Sequence, residues 1–145
     1  MKKITVTVIF LLVFTTCGAF AEEKTAKSCL EQGMARYDKK DTENALKSFR
    51  EAIKIDPNFA QAYYSIAVIF DEQKKIDEAL SYYEKTLKAD PNYAKAYFNI
   101  ATLYELRRQP AKAVKKYESF LKTTTRSDIY TEFAKEKIKE LQTNQ

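Results

Sequence analysis

Apolar residues recur along this chain at the spacing of one helical face. Tyr63, Ile66, Ala67 and Phe70 step as i, i+3, i+4 and i+7, and Ala79, Leu80, Tyr83 and Leu87 follow in the same manner. Apolar side chains at those intervals line one side of an α-helix. The polar stretch "DEQKKID" between the two runs reads as a turn, which predicts two helices over residues 60 to 90. The layout recurs downstream, with Tyr97, Ile100, Ala101 and Tyr104 on one face and Ala113, Tyr117, Phe120 and Leu121 on the next. Upstream, Ala45, Leu46, Phe49, Ala52 and Ile53 mark the second helix of an earlier pair, whose first helix is expected from Thr25 to Lys39. Asp-Pro punctuates the pairs, because proline disfavours helix in the residue before it and cannot continue the hydrogen-bond ladder. Pro110 is placed differently, as the first residue of a helix, where its missing N–H costs nothing.

The repetition is also literal. "DPNFAQAYYSIA" begins at Asp56 and "DPNYAKAYFNIA" at Asp90, an interval of 34 residues. This interval, the helix–turn–helix unit and the residues in it resemble the tetratricopeptide repeat (TPR). The second repeat supplies Tyr63, Ile66, Ala67, Phe70, Ala79, Tyr83 and Pro91 in the family's pattern slots. The third supplies Tyr97, Ile100, Ala101, Tyr104, Ala113 and Tyr117, with Thr125 where the closing proline belongs. The first supplies Cys29, Gly33, Ala45, Phe49, Ala52 and Pro57, and departs at Gln32 and Arg36, where the family wants apolar groups. Those two polar residues are expected to face outward, at the end with no preceding neighbour.

The fold this implies is all-α: an antiparallel helix-pair solenoid of three TPR units plus a C-terminal capping helix. The expected units are residues 26–59, 60–93 and 94–127, with the cap at 128–142. Small residues at 33, 67 and 101 and at 45, 79 and 113 let paired helices approach closely, and aromatics fill the space around them. Tyr130, Phe133 and Ala134 repeat the spacing of Tyr97, Ile100 and Ala101, and Ile138 and Leu141 extend the stripe on an otherwise polar helix. A repeat array needs such an end, sticky on one face and wet on the other.

A leader precedes the array. "MKKITVTVIFLLVFTTCGAFA" joins a charged start, a short apolar run and a small-x-small site, which reads as a signal peptide over residues 1–21, followed by a short linker, 22–25. The apolar run is shorter than the ~20 residues that span a bilayer. The mature chain is therefore expected to be exported, periplasmic or secreted, without a stable membrane span. Outer-membrane lipidation at Cys17 is the minor alternative, because the residues before it match that motif poorly.

Charge and composition narrow the function. The formal net charge of +5 falls to +3 when Lys2 and Lys3 leave with the leader, and the excess is spread along the chain. That does not single out nucleic acid as a partner. The chain has no His, which removes the commonest general base and metal ligand. Cys29 alone survives cleavage, so no internal disulfide can form, and a packing role is expected for it. With no glycine-rich phosphate loop and no catalytic constellation, the expectation is a protein that is not an enzyme and takes no cofactor or metal.

The resemblance implies a concave groove lined by the first helix of each pair. The family's groove positions fall on Lys27, Leu30, Met34, Tyr37 and Asp38, on Gln61, Tyr64, Val68, Asp71 and Glu72, and on Lys95, Phe98, Thr102, Glu105 and Leu106. Of these, Leu30, Met34, Tyr37, Tyr64, Val68, Phe98, Thr102 and Leu106, with Asp71, Glu72 and Glu105, are taken as the candidate peptide-binding set. The expected partner is another protein, presenting a peptide or one amphipathic helix, and the acids suggest basic residues on it. The clamp by which chaperone-binding members hold a C-terminal carboxylate is absent, since its Lys and Asn slots carry Leu30, Tyr64, Phe98 and Met34, Val68, Thr102. The alternative is a subunit that self-associates end to end through an imperfect cap.

Overall fold

A computed structural model describes residues 24–125 and 127–143. The leader, its cleavage site and Cys17 lie outside them. Among the described residues seven helices follow in order: α1 (Ala26–Asp38), α2 (Thr42–Ile55), α3 (Ala60–Glu72), α4 (Ile76–Ala89), α5 (Ala94–Leu106), α6 (Pro110–Thr123) and α7 (Ile129–Thr143). They make an all-α solenoid in which α1–α2, α3–α4 and α5–α6 are antiparallel pairs and α7 closes the end against α6. Among the described residues no helix is long and apolar enough to cross a membrane.

The turns have local causes. Within each pair the first helix ends on a left-handed residue: Lys40, Lys74 and Arg108, at φ 62°, 60° and 54°. Each helix end is closed by the same two bonds. In the first, the Lys40 amide donates to the Tyr37 carbonyl at 2.8 Å and the Asp41 amide to the Arg36 carbonyl at 3.0 Å. This Schellman closure satisfies carbonyls the helix leaves open. Between pairs, "DPN" works through its aspartate: Asp56 Oδ1 accepts from the Asn58 amide, and Asp90 Oδ1 from the Asn92 amide, both at 2.9 Å. The Tyr63 and Tyr97 hydroxyls then donate to the carbonyls of Pro57 and Pro91 at 3.2 and 3.1 Å. The first tyrosine of each repeat helix thus fastens the joint behind it.

Packing follows the small-residue slots. Ala45, Ala67, Ala79, Ala101 and Ala113 are fully buried. Gly33 leaves room for Phe49, since a Cβ there would lie within 3.0 Å of three atoms of that ring and the ring would have to shift. Cys29 is buried and free, packed in the first core cluster. Arg36 does not project past the open end as its polarity suggested. Its guanidinium turns onto α2, donating to Ser48 Oγ and, at 3.3 Å, to the Asn44 carbonyl.

The end helix departs from its expected stripe in part. Ala134 is fully buried and Thr131 nearly so, but Ile129, Tyr130 and Phe133 keep 78%, 54% and 40% of their surface. No second helix follows α7 among the described residues, and these three side chains keep an outward surface there. Asp128 and Thr131 cap the helix reciprocally, the Asp128 amide donating to Thr131 Oγ1 at 2.9 Å and the Thr131 amide to Asp128 Oδ1 at 3.2 Å.

Candidate functional site

The first helices of the three pairs carry the groove residues, and the structure sorts them into distinct settings. Leu30 is buried at 4% exposure in the core shared with α3, so it offers a partner almost no surface. A leucine at that slot is apolar enough to be drawn between neighbouring helices. Met34 and Leu106 are exposed, at 46% and 64%. Val68 is half-buried against the second core cluster, and the Thr102 hydroxyl donates to the Asn99 carbonyl at 2.8 Å.

The three candidate acids are each bonded within the chain. Each accepts from a tyrosine of this chain: Glu72 from Tyr37, Glu105 from Tyr117, and Asp71 from Tyr83 at 3.4 Å. Glu105 also pairs with Lys137 of α7 at 3.4 Å. The physical reason lies one layer down. Tyr83 and Tyr117 occupy the slot that Phe49 fills in the first repeat, and a buried hydroxyl requires a partner. Asp71 and Glu105 each stand 12 residues earlier and supply it. Burial, and then the neighbouring carboxylate, holds both phenols well above their ordinary range. Burial likewise raises the Asp71 carboxyl, and burial with the Glu72 contact pushes Tyr37 up to about 12. Asp38 remains exposed at the end of α1.

Tyr64 and Phe98 meet in one cleft. It has a volume of about 500 Å³ and lies between α3, α5, the end of α6 and the start of α7. That is within the range of pockets that hold small ligands or a peptide side chain. Phe98 forms its floor, with ring centroids of Phe120, Tyr130, Tyr117 and Phe133 at 5.3, 5.4, 5.6 and 5.8 Å. Tyr64 forms the opposite wall, propped by Tyr93 at 5.0 Å and Tyr83 at 5.6 Å. Lys95 and Asp128 stand in the lining.

Sequence reasoning missed two contributors. Tyr130, assigned to packing, instead lines the cleft. Asn99 was overlooked entirely, and its amide donates to the hydroxyls of Tyr83 at 2.8 Å and Tyr64 at 3.2 Å. The signal for Asn99 was the pair of tyrosines themselves, whose hydroxyls needed partners from a neighbouring repeat.

Comparison with known proteins agrees with this architecture. Two tetratricopeptide repeat sequence profiles match, one over residues 30–94 and one over 82–115. No curated protein matches the chain. Among solved structures, MamA is similar at 27% identity and a TM-score of 0.65, over 68% of this chain and 58% of that one. The chain thus spans a little over half the length of the two MamA chains it matches, 58% and 54%. The TPR2B domain of yeast Sti1, solved as a pHsp70 complex, is similar at 21% identity and a TM-score of 0.71, over 83% of this chain and 98% of that one. The Yersinia enterocolitica type III secretion chaperone SycD, solved with a peptide of the translocator YopD, reaches a TM-score of 0.71 at 12% identity, over 81% of this chain and 92% of that one. At those two identities the likeness is one of fold. The chain belongs to the tetratricopeptide repeat family.

Proposed function

We propose that this protein is a non-catalytic interaction module that binds a peptide or amphipathic helix in its concave groove, at the cleft between Tyr64 and Phe98. The observation that carries this reading is the cleft itself: a cavity of about 500 Å³ on a rigid helical frame, walled by aromatic rings and left open. Aromatic anchors in such settings dominate binding energies. The complexes of the Sti1 domain with pHsp70 and of SycD with a translocator peptide, both of this fold, support it. Peptides selected from a display library against residues 22–145 should lose at least ~10-fold in affinity on Tyr64→Ala or Phe98→Ala, measured by fluorescence anisotropy. Thermal melts of both variants control for folding. Selected peptides that bind both variants as well as wild type would place the site elsewhere.

The place of action is proposed to be the cell envelope, periplasmic or secreted, on the strength of the leader sequence. N-terminal sequencing of the protein recovered from cells should begin at Glu22. A start at Met1 would refute export, and a blocked Cys17 would indicate the lipoprotein. Self-association is the second reading, favoured by the uncovered Ile129, Tyr130 and Phe133. Light scattering on the mature chain would dismiss it by finding a monomer at all concentrations.

A further inference from the structure

Asp71, Tyr83, Asn99 and Tyr64 form a hydrogen-bonded chain that ends at the wall of the cleft, and its direction is fixed. The Asp71 carboxylate can only accept, so Tyr83 donates to it, at 3.4 Å. Tyr83, its proton spent, must then accept at its oxygen, which turns the Asn99 NH2 toward it at 2.8 Å. Flipping that amide would leave both hydroxyls to donate to one carbonyl, and Asp71 would lose its donor. With the NH2 so oriented, its second proton goes to Tyr64 at 3.2 Å, and the Tyr64 oxygen is an acceptor there. The Tyr64 proton is therefore left over. Tyr64 shares the cleft lining with Phe98 and Tyr130, whose rings meet edge to face at 5.4 Å.

We propose that the cleft is a specificity pocket for an apolar side chain carrying a hydrogen-bond acceptor beside it, such as its own backbone carbonyl, with the Tyr64 hydroxyl as the donor. Asn99 is the positioning residue that keeps this donor aimed outward. The proposal rests on the groove reading and adds to it the chemistry of the anchor: neutral, apolar and acceptor-bearing. Asp71, Glu72 and Glu105 accept from tyrosines of this chain, and Asp128, the acid in the cleft lining, accepts from the Tyr130 and Thr131 amides at the start of its own helix.

Two small probes test it by NMR titration of the intact mature chain. N-acetyl-phenylalanine methylamide has the ring and the carbonyl; ethylbenzene has the ring alone. Tyr64→Phe keeps the wall and removes the proton. Asn99→Asp makes an acceptor of the positioning residue, so that Tyr64 donates inward. Each variant should weaken the amide probe by about five-fold, the worth of one net hydrogen bond, and leave ethylbenzene unchanged. The double variant should lose no more than either single one, because both remove the same donor. Equal losses for both probes, additive losses, or no binding of the amide probe to wild type would each overturn the pocket. Display-selected peptides that need Phe98 but ignore Tyr64→Phe and Asn99→Asp would retain the groove reading and reject this one.

Discussion

Replacing Lys74 by glycine should stabilise this protein relative to alanine at the same site. Lys74 closes α3 with φ 60°, the left-handed region. A side chain there crowds its own backbone, at a cost of roughly 1–2 kcal/mol. Glycine removes that cost but gives the unfolded chain more freedom, which takes back about 0.4–1 kcal/mol. The exposed Lys74 ammonium also attracts the half-buried Asp71 carboxylate. Lys74→Ala loses the same charge and keeps the Cβ, so it isolates the backbone effect. Glycine should exceed alanine by about 1 kcal/mol, which at this chain length corresponds to roughly 4 °C in the melting midpoint. Urea denaturation followed by circular dichroism measures the difference. Alanine equal to or more stable than glycine would refute the strain argument. Lys40 and Arg108 hold the same conformation in the other repeats, so the three glycine substitutions should combine almost additively.

Two further outcomes follow from the packing. Gly33→Ala should destabilise by about 1 kcal/mol despite alanine's better helix propensity, since overpacking against Phe49 costs ~1–3 kcal/mol and the propensity returns ~1; urea unfolding should show recovery when Phe49→Leu is added. Alkaline pH should unfold the protein through its tyrosines: Tyr37 and Tyr93 are both pushed up to about 12, chiefly by burial. A phenol whose folded pKa is raised stabilises fully below its unfolded value of about 10 and loses that contribution as pH climbs toward the folded one. Phenolate absorbance should therefore rise in two stages, exposed tyrosines first and the rest together with loss of helix; all 10 tyrosines ionising near pH 10 with helix intact would contradict it.

The helices were legible because the apolar period, the Asp-Pro joints and Pro110 are local signals, each with a local cause. For the candidate groove residues, the positions on the first helices were legible and their surroundings were not. Slot arithmetic placed Leu30 beside Tyr64 and Phe98, yet Leu30 is drawn into the core while the other two face a cavity. The difference depends on what the adjacent helix presents, which periodicity does not encode. The acids were misjudged for a similar reason: their tyrosine partners lie 12 or 35 residues away on other helices. Asn99 had no periodic signature at all, and the equivalent Ser65 simply donates to the Gln61 carbonyl of its own helix at 2.9 Å.

The joints between repeats are unequal, and this sets an order to unfolding. Across the second joint run the Asn99 bonds to Tyr64 and Tyr83, the Lys116–Glu84 pair at 2.7 Å and the Arg107–Asp77 pair. Apart from the Tyr63–Pro57 bond, which Tyr97–Pro91 matches at the second joint, the first joint has only the Tyr37–Glu72 bond among the side-chain polar ties of the described residues. Because each unit in a linear array leans only on its neighbours, the array comes apart where a joint is weakest. Here the first joint has fewer polar ties than the second, so α1 and α2 are expected to open before the joint between α4 and α5 does. The aromatic cleft lies wholly beyond that first joint, among α3, α5, α6 and α7, so opening of α1 and α2 leaves its walls in place.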